Sequence, residues 1–148
     1  MFFILRGYIR EEKETLKAGC IFFNTNTKKV GIIFRENHND YEFPKGHLEK
    51  NETLEECAVR ETAEETKRDI KLISEFKPYD ITYTTKSKER CRCFYFVGVD
   101  LGKSDNSSTD SHNLVWTDIN DVENTISYQN IKIVWQHFLP QIKEYFKF

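Results

Sequence analysis

An α/β fold, a mixed sheet flanked by helices, follows from three features of this 148-residue sequence. Apolar runs of strand length bounded by polar turns recur along it, one charged segment opens with a helix-capping pattern, and the last stretch repeats apolar residues at helical spacing. Strands before, between and after two helices form a sheet covered on both faces.

The runs "KAGCIFF" and "KVGIIFR" are separated by the polar "NTNTKK", which predicts a β-hairpin over residues 17–35. Residues 41–52, "YEFPKGHLEKNE", carry Pro44 and Gly46 and read as loop. Thr53 followed by Glu56 is a capping box, in which each side chain bonds the other residue's backbone N–H, and it starts a helix running to about Thr66. Strands resume at "DIKLISEF" and are clearest at "RCRCFYFVGV", whose apolar run suits a strand buried on both faces. Residues 102–113, "GKSDNSSTDSHN", are almost devoid of apolar side chains and predict an exposed loop, a candidate lid or substrate loop. A short strand at "LVW" follows. Ile131, Val134, Trp135, Phe138, Ile142 and Phe146 then recur at helical spacing, and Pro140 is expected to kink or interrupt that helix.

The length suits one domain over residues 1–148, and 39% hydrophobic with 14% aromatic residues is the composition of a packed globule. A net charge of −2 offers no overall attraction to nucleic acid or polyphosphate, so an anion must be captured by a local basic patch or through a bound cation. The start, "MFFILRGYIREEKE", has too short an apolar run before Arg6 for a signal segment or a membrane span, which reads as an intracellular, cytoplasmic chain. Cys20, Cys57, Cys91 and Cys93 lack zinc-ligand spacing, and the last two alternate on one strand face, so four reduced, mostly buried thiols are expected.

The predicted helix concentrates carboxylates. Residues three and four apart share a helix face, so Glu61, Glu64 and Glu65 converge, where like charges repel by a few tenths of a kcal/mol per pair. A solvated outer face tolerates that, with Leu54, Cys57, Ala58 and Thr62 turned inward. Alternatively the carboxylates hold Mg²⁺ or Mn²⁺, hard cations that take oxygen ligands and bridge to phosphates.

The spacing decides between the two. Gly46, five residues, Glu52, seven residues, Arg60-Glu61, two residues and Glu64-Glu65 resembles the signature of the Nudix hydrolases, which cleave nucleoside diphosphates linked to another group. Six residues at fixed intervals, each at roughly 5–10% usage, coincide by chance in about one chain in ten thousand or fewer. The resemblance implies an α/β/α sandwich over most of the chain. It further implies metal ligation by Glu61, Glu64, Glu65 and the Gly46 carbonyl, with Arg60 and Glu52 pairing to hold the loop against the helix. The implied reaction is attack of a metal-activated water on phosphorus, with a general base either among these Glu or in a later loop, where Asp110 is a candidate. Lys67 and Arg68 depart from the signature, standing where the family has Gly and an aliphatic residue, and Thr62 replaces a larger aliphatic. Either Lys67 takes the left-handed conformation that ends the helix, or the helix runs further.

"PKGH" looks most like the version in asymmetric diadenosine tetraphosphate hydrolases, and "FKPYDITYTTKSK" resembles the strand and loop that follow the box there. Lys45 supplies a positive charge near any phosphate, and His47, next to Gly46, reads either as a substrate contact or as an ordinary exposed loop residue. The likeness implies Tyr83 stacking on adenine, against a half-buried strand residue as the other reading, while Leu114 stands where a second aromatic is expected. Lys86, Lys88, Arg90 and Arg92 alternate, so they are expected to project to one side near the site, as would suit a diphosphoinositol polyphosphate phosphohydrolase, or else to protect an edge strand. A third reading is a non-catalytic Nudix-like module that binds a nucleotide or RNA 5′ end. The partner implied is a small polyphosphate, not a membrane, and not nucleic acid beyond a capped RNA end; no motif sets an oligomeric state.

Overall fold

The computed structural model describes residues 13–148 in full and, before them, the backbone of two antiparallel strands, β1 (Phe2–Leu5) and β2 (Tyr8–Glu11). The leading apolar segment, read above as too short for a signal, lies outside the fully described residues. The elements that follow are β3 (Thr15–Phe23), β4 (Val30–Arg35), β5 (Asp40–Glu42), β6 (Lys45–His47), α1 (Leu54–Thr66), β7 (Arg68–Leu72), β8 (Tyr79–Thr84), β9 (Arg90–Lys103), β10 (Asn113–Thr117), α2 (Val122–Thr125) and α3 (Gln129–Phe146).

The sheet is mixed, in the order β10-β4-β3-β9-β7. Its parallel ladder joins β3 to β9 from Thr15↔Cys91 to Phe23↔Val99, and β9 is long enough to pair antiparallel with β8 along its first half and β7 along its second. Residues 95–98 at the centre of β9 are buried on both faces, as the apolar run predicts. On one face α1 covers Ala18 and Phe96 with Cys57 and Ala58. On the other, α3 lays Val134, Trp135, Phe138 and Ile142 over Ile21, Phe23, Phe43, Tyr95 and Val97. Each fully buried large apolar side chain contributes roughly 1.5–3 kcal/mol relative to exposure, so this second face is the main source of stability.

Four expectations need correction. The 17–35 hairpin exists only at its turn: β3 and β4 share the pair Phe23↔Val30 and then diverge, β4 to β5 and β10, β3 to β6 and β9. Residues 41–52 are not all loop, since β5 and β6 use them to pair with β4 and β3; strands of three residues are too short to show a period. Pro140 does not interrupt α3, because it lies on the exposed side, where water can serve the Gln136 carbonyl left without its helical donor. The loop over residues 102–113 is shorter than expected, since β9 runs to Lys103 and β10 begins at Asn113.

The signature departures find local reasons. Lys67 adopts φ 60°, ψ 30°, the left-handed conformation, and ends α1 so that β7 can start at once. For a residue with a Cβ this costs about 1 kcal/mol relative to Gly. Thr62 is fully buried, and its hydroxyl donates to the Ala58 carbonyl at 2.7 Å, so it fills an apolar position without an unsatisfied polar atom.

Candidate active site

The start of α1 is fixed by the anticipated capping box: Thr53 Oγ1 accepts from the Glu56 N–H at 3.0 Å, and the Glu56 carboxylate accepts from the Thr53 N–H at 2.9 Å. With Cys57, Ala58, Thr62 and Ala63 buried against the sheet, Glu61, Glu64 and Glu65 turn toward β6 and the Lys45–His47 backbone.

Arg60 organises this edge. Its guanidinium grips Glu52 at 2.6 and 3.0 Å, donates to the His47 carbonyl at 2.9 Å, and reaches Glu61 at 2.8 Å and Glu64 at 3.2 Å. The Glu52 carboxyl is held below its ordinary pKa by Arg60, whereas burial raises that of Glu61 against the pull of Arg60. Glu65 is pushed up to about 8 by burial, despite the 2.8 Å bond that it accepts from the Lys45 N–H. A Cβ on Gly46 would stand 2.0 Å from the Glu61 carboxyl carbon, so the strand can approach the helix this closely only with glycine there.

Two cations share this space: Lys45, whose ammonium meets Glu42 at 3.1 Å, and Arg35, which chelates Asp40 at 2.8 and 2.6 Å; Tyr128 also donates to Asp40. Lys17, only 8% exposed, points its ammonium over the Tyr83 ring and has no ion pair among the described residues. His112 donates its backbone N–H to the Glu65 carbonyl at 2.8 Å and sets its ring 3.7 Å from the Glu65 carboxyl. Burial holds that imidazole below its ordinary pKa, so it is neutral at physiological pH.

A cavity of about 650 Å³ lies at the split between β3 and β4, within the range of small-molecule sites. Of the residues singled out from sequence, Lys45, Gly46, His47, Glu61, Glu64, Glu65 and Asp110 line it, and Arg60 and Glu52 stand behind them as a brace. Tyr83 packs against the main core instead of the lining, and Leu114 packs beside Trp116 over Phe22; the aromatic that reaches the cavity is Phe34. The expected one-sided display of Lys86, Lys88, Arg90 and Arg92 is not formed. Lys86 and Lys88 occupy the exposed β8–β9 turn, Arg90 and Arg92 face Glu14 at 3.8 and 3.5 Å, and Arg92 also meets Asp80. None of the four lines the cavity. Sequence reading missed Lys17, Phe34, Arg35, Glu42 and His112. Lys17 alone left a signal, a lysine at the head of an otherwise apolar strand.

The donor set suits a hard divalent cation: carboxylate and carbonyl oxygens only, two of the carboxyls raised in pKa by burial, and a glycine carbonyl beside them that also lies 3.5 Å from the Cys57 thiol. Among the described residues no three carboxyl, imidazole or thiol side chains converge as a ready metal cluster; Glu61 and Glu64 are engaged by one Arg60 nitrogen and Glu65 by the Lys45 N–H. The four cysteines are unbridged and buried, Cys91 and Cys93 on one face of β9 as expected. Among the described residues no helix is long and apolar enough to cross a membrane.

A family model described as the NUDIX domain matches residues 13–136. Among solved structures, an Ap4A hydrolase from C. elegans in a binary complex superposes with a TM-score of 0.74 at 17% identity, covering 88% of this chain and 98% of that one. A NUDIX hydrolase from Nitrosomonas europaea gives 0.69 at 20% identity over 95% and 85% of the two chains, and a NUDIX-family hydrolase from Clostridium perfringens gives 0.69 at 18% over 88% and 99%. At these identities the structures establish the shared fold. With the family model spanning most of the sequence and the signature residues gathered around one cavity, the chain belongs to the Nudix family, whose hydrolases act on pyrophosphate bonds and generally use divalent metal ions.

Proposed function

We propose that this protein is a Mg²⁺-dependent hydrolase of dinucleoside polyphosphates, with Mn²⁺ an effective substitute, cutting diadenosine tetraphosphate to ATP and AMP by attack of water on a phosphoanhydride. The observation that carries the reading is the make-up of the cavity lining, which brings Glu61, Glu64 and Glu65 together with Lys17, Arg35 and Lys45. A polyphosphate laid between them meets ammonium and guanidinium groups along its length, with its scissile bond beside the carboxylates. The similarity to an Ap4A hydrolase fold and the "PKGH" segment support this substrate class.

Glu61, Glu64, Glu65 and the Gly46 carbonyl would hold the metal, whose positive charge would activate water and stabilise the leaving phosphate. The chain does the rest. Arg60, braced by Glu52, orients Glu61 and Glu64, and the Lys45 N–H orients one Glu65 oxygen. The proton leaving water is taken by a carboxylate that faces the cavity, either Glu65 or Asp110. Lys45 and His47 border the phosphate path, and Phe34, with Tyr41 4.8 Å behind it, offers a face for a base. Tyr83 contributes by supporting Lys17 from beneath.

The diphosphoinositol alternative drew on Lys86, Lys88, Arg90 and Arg92, which lie off the cavity, so no observation favours it. The binding-only alternative, a nucleotide or capped RNA 5′ end, is disfavoured by the complete carboxylate set. Four free cysteines support a reducing compartment, the cytoplasm. The test is turnover with Mg²⁺ on diadenosine tetraphosphate and a diphosphoinositol polyphosphate in parallel, products identified, with Glu65→Gln as control. ATP and AMP from the dinucleotide, lost in the variant, are expected. Preference for the inositol substrate, or turnover unchanged by Glu65→Gln, would overturn the assignment.

A further inference from the structure

Lys67 stands where the family signature has glycine, and its side chain has work that glycine could not do. Its ammonium crosses to the loop between β9 and β10, donating to the Asn106 carbonyl at 3.1 Å and to the Ser108 carbonyl at closer range. We propose that Lys67 is a positioning residue: it ties residues 104–112 to the end of α1 and thereby aims Asp110 and His112 at the substrate. The inference rests on the cavity being the catalytic site.

Among the described residues the tie completes a strap that is otherwise fastened to the helix only at its ends. Ser104 donates its N–H to the Lys67 carbonyl at 2.9 Å, and His112 donates to the Glu65 carbonyl at 2.8 Å, so both ends of the loop hang from the last turn of α1. Between them each turn is held locally: Asn106 N–H on Ser104 Oγ, Ser108 N–H on Asn106 Oδ1, Asp110 N–H on Ser108 Oγ. These bonds shape the loop but do not place it. The Asn106 and Ser108 carbonyls face the helix end, and a cation there is favoured twice, by the carbonyls and by the negative end of the helix dipole. Thr109, Asp110, Ser111 and His112, just beyond the tie, line the cavity facing Glu64 and Glu65. A loop this polar, with almost no apolar side chain to bury, needs such an anchor to hold one position.

Lys67→Gly restores the family residue and separates structure from positioning. Glycine relieves the left-handed backbone, so a purely structural role predicts an unchanged or higher melting temperature and unchanged kinetics. Positioning predicts that melting temperature, yet faster amide exchange over residues 105–111 in the substrate-free protein and kcat/KM on the cleaved polyphosphate lower by roughly ten-fold. Lys67→Arg should recover most of both. Loop exchange is read without substrate, so it judges the tie even if the proposed substrate is wrong. Unchanged exchange in Lys67→Gly, or a loosened loop with wild-type kcat/KM, would overturn the inference.

Discussion

Replacing Glu65 by Gln in metal-free protein should abolish a pH dependence of stability that the wild type carries. Burial lifts the Glu65 carboxyl from 4.5 to about 8, so between those values the folded state holds a proton that the unfolded chain has lost. A carboxyl raised in the folded state favours folding while protonated, and that advantage is fully present below pH 4.5 and lost as pH climbs toward 8. The slope is at most about 1.4 kcal/mol per pH unit, an upper limit of about 5 kcal/mol over the window. Part of the shift comes from the neighbouring Glu42 and Glu61 charges and relaxation lets water in, so about 2 kcal/mol is expected, or roughly 4–8 °C in a chain of this size. Glutamine keeps the acceptor for the Lys45 N–H but cannot ionise. Thermal melts in chelator from pH 5 to pH 9 should superimpose for the two proteins at the acid end, with the variant rising above the wild type toward pH 9. The two proteins differ only at this side chain, so the difference between their profiles reports Glu65 together with the neighbours coupled to it. Mg²⁺ at about 100 times its Kd should stabilise the wild type by about 2.7 kcal/mol and the variant by clearly less. Parallel pH profiles, or equal gains with Mg²⁺, would refute the reasoning.

Two further substitutions probe the brace. Gly46→Ala would put a methyl 2.0 Å from the Glu61 carboxyl carbon and drive either the side chain or β6 away; activity should fall by roughly a hundred-fold, read as kcat, with the fold retained by circular dichroism. Arg60→Lys keeps the charge but not the fork that reaches Glu52, Glu61 and Glu64 together, so a loss of about 2–3 kcal/mol in denaturant melts and a comparable loss of metal-induced stabilisation are expected; a wild-type Mg²⁺ response would contradict this role.

The elements legible from sequence were those whose signal is local. The capping box, the buried centre of β9 and the apolar stripe of α3 each declare themselves within a few residues, and the structure forms them as read. What was not legible depends on partners distant in sequence. β5 and β6 are three residues each and exist because β4 and β3 are there to pair with them, and the divergence of β3 from β4 that opens the cavity cannot be seen in a turn signal. Basic residues misled for the same reason. An alternating run reads as a phosphate grip until the Glu14 that faces it, more than seventy residues upstream, is in view. Lys17 and Arg35, by contrast, reach the cavity from strands that otherwise read as core, and of the two only Lys17 left a signal at the head of an apolar run.

The charges around the cavity explain why the cationic wall alone does not make an anion site. Lys17, Arg35 and Lys45 face six carboxyls, Glu36, Glu42, Glu61, Glu64, Glu65 and Asp110, and two of the three cations are already engaged, Arg35 by Asp40 and Lys45 by Glu42. A polyphosphate entering such a space meets repulsion from one wall and partly spent attraction from the other, in a protein whose net charge of −2 gives no help from outside. A divalent ion held among Glu61, Glu64 and Glu65 would reverse the sign of that wall, and a bound polyphosphate would in turn favour the ion, since coupling between two ligands is reciprocal. The raised carboxyls of Glu61 and Glu65 have the same origin: burial beside other carboxylates disfavours their charged forms, and a cation bound there would favour them again.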